Sequence, residues 1–293
     1  MRVLVTGATG FVGGRLAARL ADDHEVVALV RDPAGYDPPD GVEVVGGDLL
    51  EPSTLAPAFA GVEAAYYLVH SMGSGAGFEE RDRRAARNFA DAAGDAGVGR
   101  VVYLGGLGEE GQELSRHLRS RREVEAILAG GDYALTTLRA AIVVGRGSAG
   151  FEIVRQLASR LPVMVTPKWV RTPCQPIAVR DAVRYLAGVL DHPETAGETY
   201  QIGGPEVLSY EEMMRRTAAA LGREPVIVPV PVLSPTLSAY WVDLVTDVPK
   251  SVAHPLIDGL RTPVVVTDDA IRDVMAFELT PFETAGERAL EGE

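Results

Sequence analysis

The segment RVLVTGATGFVGGRLAARL, at the start of the chain, constrains the fold more than any other part of the sequence. Residues 2–6 form a short apolar run with β-branched side chains, which is typical of a buried strand. Val12, Leu16 and Leu20 then recur at four-residue spacing, which places them on one face of a helix. Glycines fill the short connection between the two. A strand that turns directly into a helix through glycines predicts the first βα unit of a dinucleotide-binding sheet.

The three glycines of this loop, Gly7, Gly10 and Gly13, follow the pattern G-x-x-G-x-x-G. The first allows a tight turn, the second lets the backbone approach a pyrophosphate, and the third allows close packing of helix against strand. The helix N-terminus offers unpaired amides and the positive end of its dipole to the phosphates. The alternative is a glycine-rich turn without a ligand. The predicted cofactor contacts in the loop are Gly7, Thr9, Gly10, Phe11, Val12 and Gly13.

The residues after the second and third apolar runs bear on which dinucleotide is bound. Arg31 and Asp32 follow the second run, in LVRDP. An acid at this position suits the ribose hydroxyls of NAD, whereas an arginine suits the 2′-phosphate of NADP. Because Arg31 comes first, we expect NADP, with NAD as the alternative. Asp48 and Leu49 follow the third run and are expected beside the adenine ring; a turn or helix-capping role is the alternative for Asp48.

Strand and helix signals alternate through the first half of the chain. Near-continuous apolar strands separated by helices predict a parallel sheet covered on both faces. After Gly145 the pattern becomes less regular, and residues 163–176 are expected to be irregular. The predicted fold class is α/β, a doubly wound parallel Rossmann sheet with a smaller C-terminal substrate region. We expect residues 1–145, completed by about 176–203, to form the core, and residues 146–175 and 204–293 to form the substrate cleft.

Composition limits the partners of this 293-residue chain. A net charge of −13 argues against nucleic-acid and anionic-membrane binding, because both require clustered surface cations. Its one cysteine excludes an internal disulfide, and no repeated His, Asp or Glu spacing suggests a metal site. Four prolines between Pro225 and Val242 disfavour a transmembrane segment there, and no signal segment is apparent. A cytoplasmic location is therefore expected.

Several motifs, taken together, resemble the atypical short-chain dehydrogenase/reductase superfamily. They are VTGATGFVG, VRDP, GDL, GVGRVVYLGGLG, LRAAIVVG, PIAVRDAVRYL and YQIGGPE, in the order of its extended and NmrA-like branches. The sequence is also similar to the 39 kDa accessory subunit of respiratory complex I. The resemblance covers nearly the whole chain. It implies a bound NAD(P)H but does not choose a function, since these branches include reductases, non-catalytic redox sensors and structural subunits.

The helix that carries the family's proton-transfer pair is altered in this chain. The resemblance implies the pattern Y-x-x-S-K-x-x-x-E, in which the tyrosine transfers a proton and the lysine holds the nicotinamide ribose. The segment HLRSRREVE matches at Ser120 and Glu125 but has His117 and Arg121 in place of the tyrosine and lysine. The serine or threonine expected after the fifth strand is also missing, because glycines stand at 105 and 106.

Two interpretations of this helix remain open. His117 could act as the general acid, since imidazole titrates near neutral pH, while Arg121 holds a ribose or phosphate with its fixed charge. Alternatively, His117 is an ordinary structural histidine and the helix has no catalytic role.

Further candidates lie at the ends of the fourth and sixth strands, where open α/β sheets bind ligands. His70 and Ser71 follow the fourth strand and are expected near the nicotinamide or substrate; a helix-entry turn is the alternative. Ala141, next to Ala140 and Ile142, is expected to pack against the nicotinamide. Arg139 is expected to make a structural ion pair at the cleft.

The C-terminal region is apolar and rich in proline. Met164, Trp169, Tyr240 and Trp241 are candidate lining residues of an apolar substrate pocket, with ordinary core packing as the alternative. Three functions therefore remain open: a reductase of a lipophilic carbonyl, enone or quinone; an NADP(H) sensor without turnover; and a structural or assembly subunit of a respiratory redox complex.

Overall fold

A seven-stranded parallel sheet forms the centre of the computed structural model, which describes residues 1–71, 77–108, 114–230 and 245–292. The predicted doubly wound Rossmann sheet is confirmed. The strands are β1 (Arg2–Thr6), β2 (Glu25–Val30), β3 (Val42–Gly46), β4 (Ala64–Tyr67), β5 (Arg100–Gly106), β6 (Ala134–Ala140), β7 (Val143–Val144), β8 (Val163–Pro167), β9 (Pro173–Cys174), β10 (Ile177–Ala178), β11 (Thr199–Ile202), β12 (Leu208–Ser209) and β13 (Val226–Val230).

Helices cover both faces of the sheet. They are α1 (Phe11–Leu20), α2 (Ala56–Phe59), α3 (Phe78–Asp95), α4 (Arg116–Leu128), α5 (Ala149–Arg160), α6 (Val179–Gly188), α7 (Tyr210–Ala220), α8 (Lys250–Gly259), α9 (Ala270–Val274) and α10 (Phe282–Glu291). Successive side chains of a strand point to opposite faces, so β1 contributes to two cores. Val3 and Val5 pack with α1 and α6, whereas Leu4 packs with α3 and α4.

The strand order places a ligand site between β1 and β4. The sheet runs β3-β2-β1-β4-β5-β6-β11, so the chain proceeds outward in one direction as far as β3 and then returns to the other side of β1. Open α/β sheets bind ligands at such a reversal, beyond the carboxyl ends of the strands. The loops after β1, β4, β5 and β6 therefore converge on one edge of the molecule.

The expectation of irregular structure over residues 163–176 is wrong in its first part. Residues 163–167 form β8, which pairs in parallel with β13. Along β8, Val163 and Val165 are about half exposed, whereas Met164 and Thr166 are buried. This alternation is typical of a half-buried strand. Its partner, β13, lies about sixty residues away in the sequence. Both strands are short and contain proline, so neither sequence indicates the pairing by itself.

The C-terminal region contains more helix than the sequence analysis expects. Besides α7, which is predicted, the structure has α8, α9 and α10 after the proline-rich segment. Of these, α8 packs on α4 and α5 and so closes one side of the edge described above. Among the described residues, no helix combines the length and the apolar character that a membrane crossing requires.

Candidate active site

A cleft of about 410 Å³ opens at the carboxyl edge of the sheet, where the loops after β1, β4, β5 and β6 meet α4, α5 and α8. Most of its wall is apolar. The lining residues include Gly7, Gly10, Phe11, Val12, Gly13, Leu68, His70, Leu104, Gly106, Leu107, His117, Leu118, Arg121, Ala141, Ile142, Ile153, Val154, Tyr210, Leu256, Ile257 and Leu260. The structure thus brings together the glycine loop and the candidate catalytic residues in one cavity.

Close packing requires two of the loop glycines. Gly7 has φ 74°, in the left-handed region that side chains disfavour, and a Cβ there would lie 2.8 Å from the carbonyl oxygen of Leu68. A Cβ on Gly13 would lie 2.2 Å from the carbonyl oxygen of Gly7. The first turn of α1 is therefore held against the end of β1, as a dinucleotide-binding loop requires.

The N-terminus of α1 is suited to a phosphate group. No side chain caps this end of the helix, and its first turn contains no acidic residue. The amide of Gly10 donates to the carbonyl oxygen of Gly7 at 2.9 Å, which shapes the loop. The remaining first-turn amides point along the helix axis, where the dipole favours an anion. The residues present therefore fit the pyrophosphate of a dinucleotide.

The predicted contacts of the adenosine end lie outside the walls of this cleft but along the same edge of the sheet. Arg31 is exposed just after β2, and β2 pairs with β3 up to Val30 and Gly46. Asp48 accepts a hydrogen bond at its Oδ1 from the amide of Leu50 at 2.8 Å, which is the turn role left open above. Leu49 is buried in the core beneath α3. Thr9 is exposed and Ser71 is half-buried.

The side chain of Arg121 is anchored to β5. Its guanidinium donates to the carbonyl oxygen of Leu104 and lies 4.8 Å from the centre of the Tyr103 ring. The hydroxyl of Tyr103 in turn donates to the carbonyl oxygen of Arg121 at 3.0 Å. Arg121 therefore places a fixed positive charge in the cleft wall, within the region expected for the nicotinamide ribose.

The glycines after β5 are closely covered by neighbouring side chains. A Cβ on Gly106 would lie 2.8 Å from Cδ2 of Leu118, and one on Gly105 would lie 3.2 Å from the Tyr103 ring. The hydroxyl-bearing residue that the resemblance implies therefore has no room at Gly106 unless Leu118 moves.

His117 is in contact with His70, which the sequence analysis treats as a separate candidate. Nδ1 of His117 lies 3.2 Å from Nε2 of His70, and the two rings are stacked with centres 4.9 Å apart. Nδ1 of His70 lies 3.2 Å from Oδ2 of Asp82, on the buried side of α3. We call His70 and His117 the histidine pair. It connects a buried carboxylate with the cleft.

Asp82 is almost fully buried, at 2% exposure, and both of its oxygens have hydrogen-bond partners. Oδ1 accepts from the amide of Ser71 at 2.8 Å, and Oδ2 accepts from the hydroxyl of Ser120 at 3.1 Å as well as facing His70. Although burial opposes ionisation, the bonds from His70 and Ser71 lower the pKa of Asp82. Asp82 is therefore a carboxylate that holds both the loop after β4 and α4.

Burial favours the neutral form of both members of the histidine pair. Burial, together with the charges of His70 and Arg121, lowers the pKa of His117 to about 3. Burial also lowers the pKa of His70, against the opposing effect of Asp82. An imidazolium on His117 alone is thus disfavoured at pH 7. The simplest form of the general-acid interpretation, in which His117 itself carries the charge, does not fit this geometry.

Asp82 is a functional candidate that the sequence alone does not identify. Its signal is its position on the apolar stripe of α3, four residues after Phe78 and seven before Phe89. An acid on such a stripe is buried, and a buried charge requires partners. The pattern thus indicates a polar cluster, but it does not identify the two histidines that complete it.

Other predicted side chains have clear positions. Arg139 forms the expected ion pair, with its Nε 3.1 Å from Oε2 of Glu125. Ala141 lines the cleft, whereas Met164 is buried in the core beside α5 and α7. The pocket residues Tyr240 and Trp241, and the side chain of Trp169, lie outside the described part of the structure.

Comparison with known proteins identifies the fold and the cofactor class. The model of the NAD(P)H-binding family matches residues 7–155, just over half of the chain. Among solved structures, the triphenylmethane reductase of Citrobacter sp. superposes with a TM-score of 0.78 at 22% identity, covering 99% of this chain and 100% of that one. The same reductase has been solved with NADP(H).

Two curated relatives have different roles. The ceramide reductase of Caulobacter vibrioides is 29% identical over 234 residues, which is 78% of this chain and 73% of that protein. The mitochondrial NADH dehydrogenase (ubiquinone) 1 alpha subcomplex subunit 9 of Arabidopsis thaliana is 24% identical over an alignment of 302 positions, which covers 96% of this chain and 75% of that protein.

Proposed function

Because this chain belongs to the NAD(P)H-binding family, we propose that it is a reductase that acts with NADPH on an apolar carbonyl, enone or quinone. The observation that carries the proposal is the shared cleft, in which the glycine loop and His117 face one apolar cavity. When bound, the reduced nicotinamide supplies a hydride. The chain itself binds the phosphates, excludes water from the reacting carbon, and provides a proton near the substrate oxygen.

We propose a division of labour along the chain. Residues 1–145, with about 176–203, hold the dinucleotide, and residues 146–175 and 204–293 form the substrate side. This division is supported by β11, which extends the main sheet beside β6, and by α8, which lines the same cleft as the glycine loop.

The proposed cofactor contacts extend along the sheet edge. The pyrophosphate is held by Gly7, Gly10, Phe11, Val12 and Gly13, and the nicotinamide packs on Ala141. These contacts are supported by the position of all six residues in the cleft wall. Arg31 meets the 2′-phosphate, because it is exposed at the end of β2. Asp48, Leu49, Thr9, His70 and Ser71 complete the proposed set.

The proposed substrate carries its carbonyl next to an alkyl chain or an apolar ring. Its reacting end lies between His117 and the nicotinamide position, and the rest contacts Ile153, Leu256 and Leu260. The name of the ceramide reductase relative refers to a substrate with long alkyl chains, which fits this apolar wall.

Binding of NADPH is the first experiment. NADPH should give a saturable change in nicotinamide fluorescence and raise the melting temperature of the purified protein. Arg31→Asp should lower the affinity for NADPH relative to NADH, because it replaces the phosphate's proposed partner with a repelling charge. An unchanged NADPH-to-NADH ratio would remove Arg31 from the phosphate site, and absence of saturation would reject the cofactor site.

Turnover is the second arm of this experiment. Oxidation of NADPH at 340 nm should follow addition of an alkyl ketone, an enone or a small quinone such as menadione. A protein that binds NADPH tightly but oxidises it with none of these would contradict the proposed reductase.

A non-catalytic role is the second candidate. It is favoured by His117 and Arg121 in place of the family's tyrosine and lysine, and by the similarity to the Arabidopsis NADH dehydrogenase subunit. A sensor would bind NADPH and NADP⁺ and change its affinity for a protein partner without turnover. Association with a respiratory redox complex would be detected by co-migration of the protein with that complex in native gels.

A further inference from the structure

A continuous line of hydrogen bonds joins α3 to the cleft. It begins at Oδ2 of Asp82, passes through Nδ1 and Nε2 of His70, and reaches Nδ1 of His117, with each contact at 3.2 Å. In the part of the chain that the structure describes, no protein group bonds to Nε2 of His117, and the residue lines the cleft. The line therefore ends at a residue of the cleft wall.

The charge on Asp82 determines which nitrogens carry hydrogen. A carboxylate only accepts, so Nδ1–H of His70 must donate to Asp82. In a neutral ring the other nitrogen is then an acceptor, and Nε2 of His70 must receive its hydrogen bond from Nδ1–H of His117. Neutral His117 consequently has a lone pair at Nε2. The resting chain of residues presents an acceptor to the cleft.

One added proton reverses the direction of the hydrogen bond between the two histidines, and Nε2 of His117 becomes a donor. The positive charge does not lie on His117. The proton is most stable on His70, beside the Asp82 carboxylate and further along the line from the cleft. Nε2–H of His70 then donates to Nδ1 of His117, and the hydrogen of His117 moves to Nε2. His117 stays neutral but now presents an N–H group to the cleft. Among the described residues, Asp82 of α3 and Arg121 of α4 are the charged groups that act on the pair, and they respectively attract and repel the added proton.

We propose that Asp82, His70 and His117 form a proton relay that does the work of the absent tyrosine and lysine, with His117 as the catalytic residue and Asp82 and His70 as positioning residues. This inference rests on the proposed reductase function. As the substrate carbonyl carbon gains a hydride, its π electrons move to oxygen, which takes the proton from Nε2 of His117. Nδ1 of His117 takes the proton from Nε2 of His70. The histidine pair ends neutral, and a proton from water restores it.

The relay predicts a tautomer for each ring, which can be measured without a substrate. The chain has five histidines, so ¹⁵N-histidine labelling gives few signals, and His70→Gln and His117→Gln assign the two of interest. In ¹H–¹⁵N spectra at neutral pH, both rings should carry hydrogen on Nδ1 and none on Nε2. A wild-type His117 with hydrogen on Nε2 in its neutral form would overturn the relay.

Asp82→Asn provides the decisive variant. The amide oxygen can still accept from the Ser71 amide, which turns the NH₂ group toward Nδ1 of His70. That nitrogen must then accept, so both rings should switch to the tautomer with hydrogen on Nε2. Glu80→Gln is the matched control, because Glu80 is an exposed acid on the same helix and should leave both rings unchanged. Unchanged tautomers in Asp82→Asn would overturn the proposal. If this variant does not fold, the wild-type spectrum still decides.

Kinetics separate the relay from the reductase proposal. With a substrate that turns over, reduction should accelerate as the pH falls from 8 to 5, because the pair must carry its extra proton. Asp82→Asn should lower kcat by about 10²–10⁴-fold with an unchanged NADPH affinity. An equally fast Asp82→Asn enzyme would reject the relay alone. If the spectra show the predicted tautomers but no substrate is turned over, the reductase proposal is rejected, and the catalytic role of the pair is rejected with it.

Discussion

At the residue scale, His117 and Arg121 differ in what they still offer a ligand. The guanidinium of Arg121 is held by the carbonyl of Leu104 and the ring of Tyr103, so it acts as a fixed charge rather than a mobile clamp. His117 uses only one ring nitrogen for its contact with His70. These contacts support the proposed roles, in which His117 transfers the proton and Arg121 positions the ribose.

The lowered pKa of His117 predicts a specific loss of stability in acid. The unfolded chain binds a proton at this histidine near pH 6.5, whereas the folded chain resists protonation down to about 3. As the pH falls from 7 to 5, the unfolded state takes up more protons, so the free energy of unfolding decreases. Urea unfolding of His117→Gln should show a smaller decrease over this range.

His24→Gln is the control for that measurement, since it changes a histidine outside the pair. If the wild type and both variants lose the same free energy between pH 7 and pH 5, His117 is protonated as readily in the folded chain as in the unfolded one, and its predicted neutrality is wrong.

The sequence predicts His70 and His117 as candidates, but not their contact. They lie 47 residues apart, and the fourth and fifth strands bring them together only because β4 and β5 are neighbours in the sheet. The position of Asp82 on the apolar stripe of α3 predicts that this residue is buried. The identity of its partners depends on the tertiary arrangement of α3 and α4, which periodicity does not encode.

At the element scale, the close approach of α1 to β1 is set by Gly13. A methyl group there would meet the carbonyl oxygen of Gly7 at 2.2 Å, so α1 would have to move away from the strand. Gly13→Ala should reduce the free energy of unfolding by about 1–3 kcal/mol, as expected for overpacking, and weaken NADPH binding. Urea unfolding and nicotinamide fluorescence measure the two effects.

Gly94→Ala is the matched control in α3, where an added Cβ has nothing within 4 Å. Alanine favours a helix by roughly 0.5–1 kcal/mol over glycine, so this variant should be as stable as the wild type or more so. A Gly13→Ala protein that matched it in stability and NADPH affinity would show that the loop tolerates a side chain.

Elements with long, regular apolar patterns are predicted well, and short paired segments are not. The inner strands β1, β2, β4 and β5 follow their apolar runs, because burial on both faces imposes this composition. By contrast, β8 and β13 have five residues each and stabilise each other across a long separation in sequence. Similarly, Pro255 disfavours a helix prediction for α8, although packing on α4 and α5 stabilises this helix in the structure.

At the scale of the whole molecule, the cleft joins the two parts of the chain. The sheet edge supplies the glycine loop and the histidine pair, and α8 supplies the facing apolar wall. In the proposed function the sheet edge carries the chemistry and α8 contributes to substrate binding, so a change in α8 should alter substrate affinity without altering NADPH affinity.

Leu256→Gln tests this separation. Leu256 is half-buried in the cleft wall. Full burial of a leucine side chain is worth about 1.5–3 kcal/mol, so a substrate that covers the exposed half gains roughly half of that. The affinity for a small quinone, measured by calorimetry, should therefore fall by roughly three- to tenfold, while NADPH affinity stays unchanged. Val163→Gln, on the exposed side of β8, is the control and should alter neither. Equal quinone affinity in all three proteins would place the substrate elsewhere.

The contact between Leu118 and the position of Gly106 limits how this site could be converted to the family's usual chemistry. Replacing His117 and Arg121 with tyrosine and lysine would restore two side chains, but a serine at 106 would place its Cβ 2.8 Å from Leu118. Trimming Leu118 first would open a cavity beside His117. The substitutions at 106 and 118 are therefore coupled: a side chain at 106 requires Leu118 to move, so the exchange at Gly106 depends on what the residue at 118 allows.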